Sequence, residues 1–203
     1  KSTMVAMLAE KYGMIHCGEN YHTKYAGEIA TPERQPGMCF FSTMKDWQEF
    51  VNRTPEQYDR WIAQTSMEAA EFEIAELIRL SQNGKVIADT NIPLDTLREI
   101  SDYHRVAVML SPQAMSVERF FERDDPDKRF LLERIRESED PEKTLANFKA
   151  CIARLNSKDR YDEFANSGFY TLVRANADID TKSETLDALA KHFGLSGYST
   201  RDR

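Results

Sequence analysis

The chain has 203 residues, of which 41% are hydrophobic and 30% are charged, and its net charge is −7. This length allows one sizeable core, so we expect residues 1–203 to form a single domain that carries insertions. The acidic balance argues against binding to a nucleic-acid backbone, and no apolar run approaches the ~20 residues of a membrane span. Three widely spaced cysteines favour reduced thiols and a cytoplasmic protein: Cys17, Cys39 and Cys151.

The first nineteen residues predict a helix, a turn and a strand. Lys1-Ser2-Thr3 has the form of the end of a phosphate-binding loop. In such a loop helix N–H groups hold phosphates, the lysine neutralises β/γ oxygens and the hydroxyl ligates Mg²⁺. Three residues are equally compatible with an ordinary helix cap. Gly13 predicts the end of the helix, and residues 14–17 read as a short buried strand that leads to Glu19.

Residues 20–84 predict a helical insert. Helices are expected over about 20–30 and 45–53, separated by a turn rich in proline and glycine at 31–37. The longest helix begins at Thr54-Pro55, a cap followed by a first-turn proline, and ends near Gly84. Along it a core-facing stripe recurs at helical spacing: Tyr58, Trp61, Ile62, Ala69, Phe72, Ala75 and Ile78.

Three further apolar runs predict strands at 85–89, 105–110 and 169–173. Helices are predicted between and after these strands: one over 93–101, three that start at Ser111, Asp125 and Asp140, and one that ends at Gly168. A last helix is predicted over 181–194, where Thr181 and Glu184 have the spacing of a capping box. The tail from Ser196 is expected to be loose. Short, non-alternating strands between helices predict an α/β fold with a doubly wound parallel sheet covered on both faces.

Three polar residues follow the predicted strands at the edge where such sheets bind ligands: Glu19, Asp89 and Ser111. Asp89 suits an acidic group that holds Mg²⁺ through water, or simply a cap on the next turn. Glu19 suits a general base toward a hydroxyl, a hydrogen-bond acceptor for substrate, or a solvated residue at a helix N-terminus.

Arg119 and Arg123 lie four residues apart, so a helix would place them on one face, and Lys128 and Arg129 follow closely. Converging cations of this kind would neutralise charge on a transferring phosphoryl group. Acidic residues are interleaved with these cations, so a solvated helix with surface salt bridges is the alternative interpretation.

Together these positions resemble the P-loop kinase superfamily, which includes nucleoside monophosphate kinases, shikimate kinase and gluconate kinase. Five segments carry the resemblance in order: Lys1–Thr3, Ile15–Glu19, Val86–Asp89, Val117–Arg123 and residues 169–194. The resemblance implies a three-layer P-loop NTPase fold, in which helices flank a parallel sheet. It also implies a helical acceptor-binding insert over about 20–84 and a short lid over about 124–140. The family's glycine loop and central first strand would precede Lys1.

The resemblance also implies ATP and Mg²⁺ as cofactors and a role for each matching residue. Lys1 and Thr3 would hold phosphates, and Ser2 and Asp89 would hold the metal. Arg119 would pack on adenine, Arg123 and Arg129 would meet transferring phosphate, and Glu19 would orient or deprotonate the acceptor. In the insert, the acceptor would meet residues from the set Tyr21, His22, Tyr25, Arg34 and Trp47, although aromatic residues there are more often part of a core.

The resulting hypothesis is an ATP-dependent kinase that transfers the γ-phosphoryl group to a hydroxyl of a small metabolite. Monophosphate kinases carry arginines where this chain has His22 and, after Asp89, Thr90 and Asn91. A phosphate clamp for a nucleotide acceptor is therefore not evident. The alternatives are a nucleoside or nucleotide kinase and a non-catalytic ATP-binding regulatory protein. The expected partner is a small-molecule acceptor, and the protein would be a monomer or a homodimer.

Overall fold

The computed structural model describes residues 1–112, 117, 120–121, 125–174 and 179–195. Within these ranges the chain is α/β, with ten α-helices, one 3₁₀ turn (Tyr103–Arg105) and four short strands. The helices are α1 (Ser2–Tyr12), α2 (Thr23–Ile29), α3 (Phe40–Thr43), α4 (Gln48–Val51), α5 (Pro55–Ser81), α6 (Leu94–Ile100), α7 (Pro126–Arg136), α8 (Pro141–Leu155), α9 (Lys158–Ala165) and α10 (Lys182–His192). The strands are β1 (Ile15–Cys17), β2 (Val86–Ala88), β3 (Ala107–Leu110) and β4 (Tyr170–Val173). None of the described helices is both long enough and apolar enough to cross a lipid bilayer.

The four strands form two parallel pairs. β1 pairs with β2, with Cys17 opposite Ala88, and β3 pairs with β4, with Leu110 opposite Val173. The prediction of short parallel strands among helices is confirmed. The expected single sheet differs, because no strand among the described residues joins one pair to the other by hydrogen bonds.

Both strand pairs contribute to one hydrophobic cluster, which is built around α1 and α10. Its buried members are Met4, Val5, Leu8, Ala9, Ile87, Leu186, Leu189, Ala190 and Leu195. Ile87 comes from β2, while Ala107, Met109 and Leu172 of the other pair pack against the same cluster. The buried apolar face of α1 therefore contacts residues of both pairs through one cluster.

A second cluster, all helical, is built from α4, α5, α7 and α8. Its buried members are Phe50, Val51, Tyr58, Ile135, Phe148, Cys151 and Ile152. Aromatic rings dominate it, and edge-to-face contacts such as Trp47 with Phe130 (ring centroids 4.9 Å apart) continue to its rim. Because aromatic rings bury large areas, helices of the insert and helices α7 and α8 together form a second core.

Helix α5 passes from one region to the other. Thr54 begins it with a capping box, in which Thr54 Oγ1 accepts from the Gln57 N–H (3.2 Å) and Gln57 Oε1 accepts from the Thr54 N–H (2.9 Å). Tyr58 lies in the second cluster, and Glu73 is buried about 22 Å further along the axis. The predicted stripe is wrong at Ile78, which is 60% exposed. Six residues beyond Phe72 correspond to about 240° around the helix, so Ile78 points away from the buried face.

Three helix starts test the predicted caps. Asp125 and Asp140 accept hydrogen bonds from the backbone of their own first turns, as predicted. The capping box predicted at Thr181 is wrong, because its hydroxyl accepts no capping hydrogen bond and its backbone (φ −104°, ψ 17°) is not extended. Asp180 takes over this role and accepts from the Lys182 N–H at 3.0 Å.

Gly37 presses the loop after α2 against α5. Its N–H donates to Glu68 Oε1 (3.2 Å), and its carbonyl accepts from Trp61 Nε1 (3.0 Å). A Cβ at this position would lie 2.9 Å from Thr65 Oγ1 and 3.1 Å from Thr65 N. The close approach of loop and helix therefore requires a residue without a side chain.

We expect Gly37→Ala to lower the free energy of unfolding by about 1–3 kcal/mol, because the backbone of α5 cannot yield to the added methyl group. Gly27→Ala, in α2, is the matched control, since a Cβ there meets nothing within 4 Å. That change should be neutral or stabilise by up to about 1 kcal/mol. Urea denaturation of both variants measures the difference, and equal stabilities would contradict the packing argument.

Candidate phosphate and magnesium site

Lys1, Ser2 and Asp89 meet at one point. Lys1 Nζ lies 3.0 Å from Asp89 Oδ1, and Ser2 Oγ donates a hydrogen bond of 2.7 Å to Asp89 Oδ2. The two ends of the carboxylate are thus held by a cation and by a hydroxyl. Residues separated by 87 positions in the sequence form a single constellation.

Secondary structure explains why they meet. Asp89 directly follows β2, and its N–H donates to the Cys17 carbonyl (2.9 Å), which extends the pairing with β1 by one residue. α1 begins at Ser2, and no side chain caps its first turn through a hydrogen bond. The positive end of the α1 dipole therefore points to the edge where β1 and β2 end.

The environment of the carboxylate suits a ligand that carries both phosphate and metal. The Asp89 side chain is 1% exposed, whereas that of Lys1 is 48% exposed. A buried carboxylate needs a partner, and the accessible lysine can turn toward an incoming anion. Hydroxyl and carboxylate oxygens are ligands that Mg²⁺ prefers, and Mg²⁺ is usually held by one or two protein groups with water and phosphate oxygens.

Among the described residues, no group of three or more histidine, cysteine, aspartate or glutamate side chains could hold a metal ion by itself. Mg²⁺ held by Ser2 and Asp89 would need water and phosphate oxygens to complete its coordination. The residues present would fit a phosphate-bound Mg²⁺ better than a bare ion.

Of the other predicted site residues, some follow strand ends or lie at the start of α1, one lies on α7, and two lie outside the described residues. Thr3 is exposed in the first turn of α1, and Glu19 is exposed in the turn after β1. Ser111 follows β3, and Arg129 is exposed on α7. Arg119 and Arg123 lie outside the described residues, so the predicted pair of arginines has no structural account. Lys128 pairs with Asp125 at 2.8 Å.

The insert residues divide into two groups. Trp47 belongs to the aromatic cluster, where its ring lies 5.3 Å from that of Phe41, so its role is packing. Tyr21 and His22 instead lie beside the carboxyl ends of β1 and β2, against the buried carboxylate of Glu73.

Sequence reasoning missed Glu73, which is 1% exposed. Its Oε2 accepts from Tyr21 Oη (3.2 Å), from the Thr90 hydroxyl and from the Asn91 N–H (3.3 Å). The available signal was a glutamate directly after Phe72 on the apolar stripe of α5. A charged residue within the apolar face of a helix indicates a buried polar contact. The spacing of the sequence does not show which residues are its partners.

Burial and the Glu73 carboxylate set the titration of the two neighbours. Burial, reinforced by Glu73, raises the pKa of Tyr21 far above its usual value, so the phenol stays protonated and donates to Glu73. Burial lowers the pKa of His22 below its usual value, and the attraction of Glu73 opposes this only in part. His22 Nδ1 lies 3.5 Å from Glu73 Oε1 and has no hydrogen-bond partner among the described residues.

Comparisons of this chain with protein-family models, with curated proteins and with solved structures found no match.

We expect the free energy of unfolding to fall as the pH drops below about 6.5, in part through His22. A histidine whose pKa is lower in the folded state binds more protons when unfolded, so acid favours unfolding. His22→Gln should reduce this pH dependence, whereas His104→Gln, at an exposed position, should not. Urea denaturation between pH 5 and 8 measures the slopes, and an unchanged slope for His22→Gln would contradict the assignment.

Proposed function

We propose that the protein is an ATP- and Mg²⁺-dependent kinase that phosphorylates a hydroxyl group of a small metabolite. The observation that carries the proposal is the contact of Lys1 and Ser2, at the start of α1, with the buried Asp89 at the end of β2. A helix N-terminus, a lysine, a hydroxyl and a strand-end carboxylate are together the groups that a metal-bound triphosphate needs.

Each residue has a role in this proposal. Lys1 leaves Asp89 to neutralise the β/γ-phosphate oxygens, and Thr3 contacts phosphate from the first turn of the helix. Ser2 and Asp89 hold Mg²⁺, which supplies charge neutralisation on the phosphates when it is bound. Glu19 orients the acceptor hydroxyl and takes its proton as the new O–P bond forms. ADP leaves with the electron pair of the broken bond between the γ-phosphorus and the bridging oxygen.

We further propose that the two strand pairs belong to one sheet of a three-layer P-loop fold. Both pairs pack on the cluster around α1, which supports a common layer. The helical insert over about 20–84 then serves as the acceptor-binding region, and residues of about 124–140 serve as a short lid. Arg119 packs on adenine, and Arg123 and Arg129 meet the transferring phosphate. Three free cysteines support a cytoplasmic location.

The first test is calorimetric titration of the full-length protein with ATP, with and without Mg²⁺. We expect Mg²⁺-dependent binding that Lys1→Ala weakens at least about 10-fold, because a charge-assisted contact to phosphate is lost. Asp89→Asn should remove most of the Mg²⁺ dependence.

Lys11→Ala is the matched control. It lies on the same helix, but its ammonium group pairs at the surface with Asp187 (3.3 Å), so ATP affinity should not change. If both lysine variants lost the same ATP affinity, the loss would come from the change in net charge and not from a contact of Lys1. If the wild type did not bind ATP at millimolar concentration, the proposed phosphate site would be wrong.

A second test separates a kinase from an ATP-binding regulatory protein. With an acceptor identified by ADP release across a panel of hydroxyl-bearing metabolites and nucleosides, Glu19→Gln should keep ATP affinity and lower turnover by about 10²–10⁴-fold. If ATP binds tightly and no member of the panel is ever phosphorylated, the regulatory alternative is favoured. Turnover of nucleosides alone would favour the nucleoside kinase.

A further inference from the structure

Glu73 connects three elements at the edge of the candidate site. It projects from α5 and accepts through one oxygen from Tyr21, Thr90 and Asn91. Tyr21 belongs to the segment that follows β1, whereas Thr90 and Asn91 belong to the segment that follows β2. One buried carboxylate therefore fixes both strand-end segments to the same helix.

The fixed positions are the immediate neighbours of the proposed functional residues. Thr90 is next to Asp89, and Tyr21 is two residues after Glu19. The Thr90 hydroxyl also accepts a hydrogen bond from the Ile92 N–H (3.1 Å). It therefore connects Glu73 to the backbone of the turn that follows Asp89. With its own N–H bound to Cys17 and the next residue bound to Glu73, the backbone of Asp89 has little freedom to rotate.

Stability alone does not account for a carboxylate at this position. The Glu73 side chain is 1% exposed, and in the described part of the chain no lysine or arginine forms an ion pair with it. Its hydrogen-bond donors are neutral, and His22 faces its second oxygen without donating to it. Replacing buried ionic groups by neutral side chains that fill the same volume is often neutral or stabilising when no partner is left unpaired. A buried group that hydrogen-bonds behind a metal ligand can instead orient that ligand.

We infer that Glu73 is a positioning residue of the phosphate and magnesium site, acting through Thr90 to aim the Asp89 carboxylate at Lys1 and Ser2. The inference rests on the proposed function, since it assigns Glu73 to the binding of a magnesium–nucleotide complex. Glu73 itself is too buried to touch the nucleotide. It instead fixes the position of the Asp89 carboxylate. A change in that position should weaken the binding of Mg²⁺ more than the binding of the phosphates.

The test compares ATP affinity with and without Mg²⁺ for the wild type and Glu73→Gln, by calorimetry on the full-length protein. Groups that orient metal ligands typically change metal affinity by about 10–100-fold. We therefore expect Glu73→Gln to reduce the gain in ATP affinity that Mg²⁺ provides by at least about 10-fold. ATP affinity without Mg²⁺ should change less than about 2-fold, and thermal stability should be equal or higher. If Glu73 had only a structural role, the substitution would not lower the Mg²⁺-dependent gain in ATP affinity while leaving stability and Mg²⁺-free affinity unchanged.

Two further variants sharpen the result. Glu71→Gln changes an exposed glutamate two residues away on the same helix and should leave every quantity unchanged. Thr90→Val removes the hydroxyl through which Glu73 acts, so it should reproduce the loss. The double variant should then lose no more than either single one. Thr90→Val also provides the answer if Glu73→Gln does not fold.

The outcomes separate the two proposals. If the wild type binds ATP with a clear Mg²⁺ dependence that Glu73→Gln and Thr90→Val both retain, the role of Glu73 is wrong and the proposed function stands. If the wild type shows no Mg²⁺-dependent binding, the proposed function fails, and the role assigned to Glu73 fails with it.

Discussion

The buried carboxylate of Asp89 must be neutralised, and the arrangement of the site follows from this requirement. A carboxylate removed from water costs several kcal/mol unless a cation or hydrogen-bond donors compensate it. Lys1 and Ser2 provide that compensation from the start of α1. For them to reach Asp89, α1 has to begin at the end of β2, and its apolar residues Met4 to Leu8 hold it there against Ile87. Packing of the helix and neutralisation of the carboxylate thus require the same placement.

The described chain has two hydrophobic clusters with different chemistry. The cluster around α1 and α10 is mainly aliphatic and takes in both strand pairs, whereas the second cluster joins helices of the insert to α7 and α8 and includes several aromatic rings. Large rings bury large areas, so this helical cluster packs without residues from the described strands. The region near Asp89 has two unusual features: Asn20 has a positive φ (62°), and His22 Nδ1 has no hydrogen-bond partner among the described residues.

Local patterns predicted the parts of the fold that depend on neighbours in the sequence. Thr54-Pro55, Asp125 and Asp140 begin helices as expected, and Asp89 follows a strand. The rule that ligands gather at strand ends predicted Asp89 at the site, and the resemblance to P-loop kinases predicted that Lys1 and Ser2 lie beside it. Glu73 could not be assigned, because its partners come from two other segments. Thr181 failed because its backbone does not adopt the extended conformation of a capping residue, and Asp180, one residue earlier, accepts from the Lys182 N–H instead.

The length of α5 has a mechanical consequence. Its two halves are held by different contacts, Tyr58 in the aromatic cluster and Glu73 among the strand-end segments, about 22 Å apart. A rigid rod of that length that tilts by about 5° at the aromatic end moves its other end by about 2 Å. Hydrogen bonds tolerate only a few tenths of an ångström. Such a tilt must therefore either move the segments after β1 and β2 together with α5 or break their hydrogen bonds to Glu73. A change of packing in the aromatic cluster would in this way displace the residues beside Asp89.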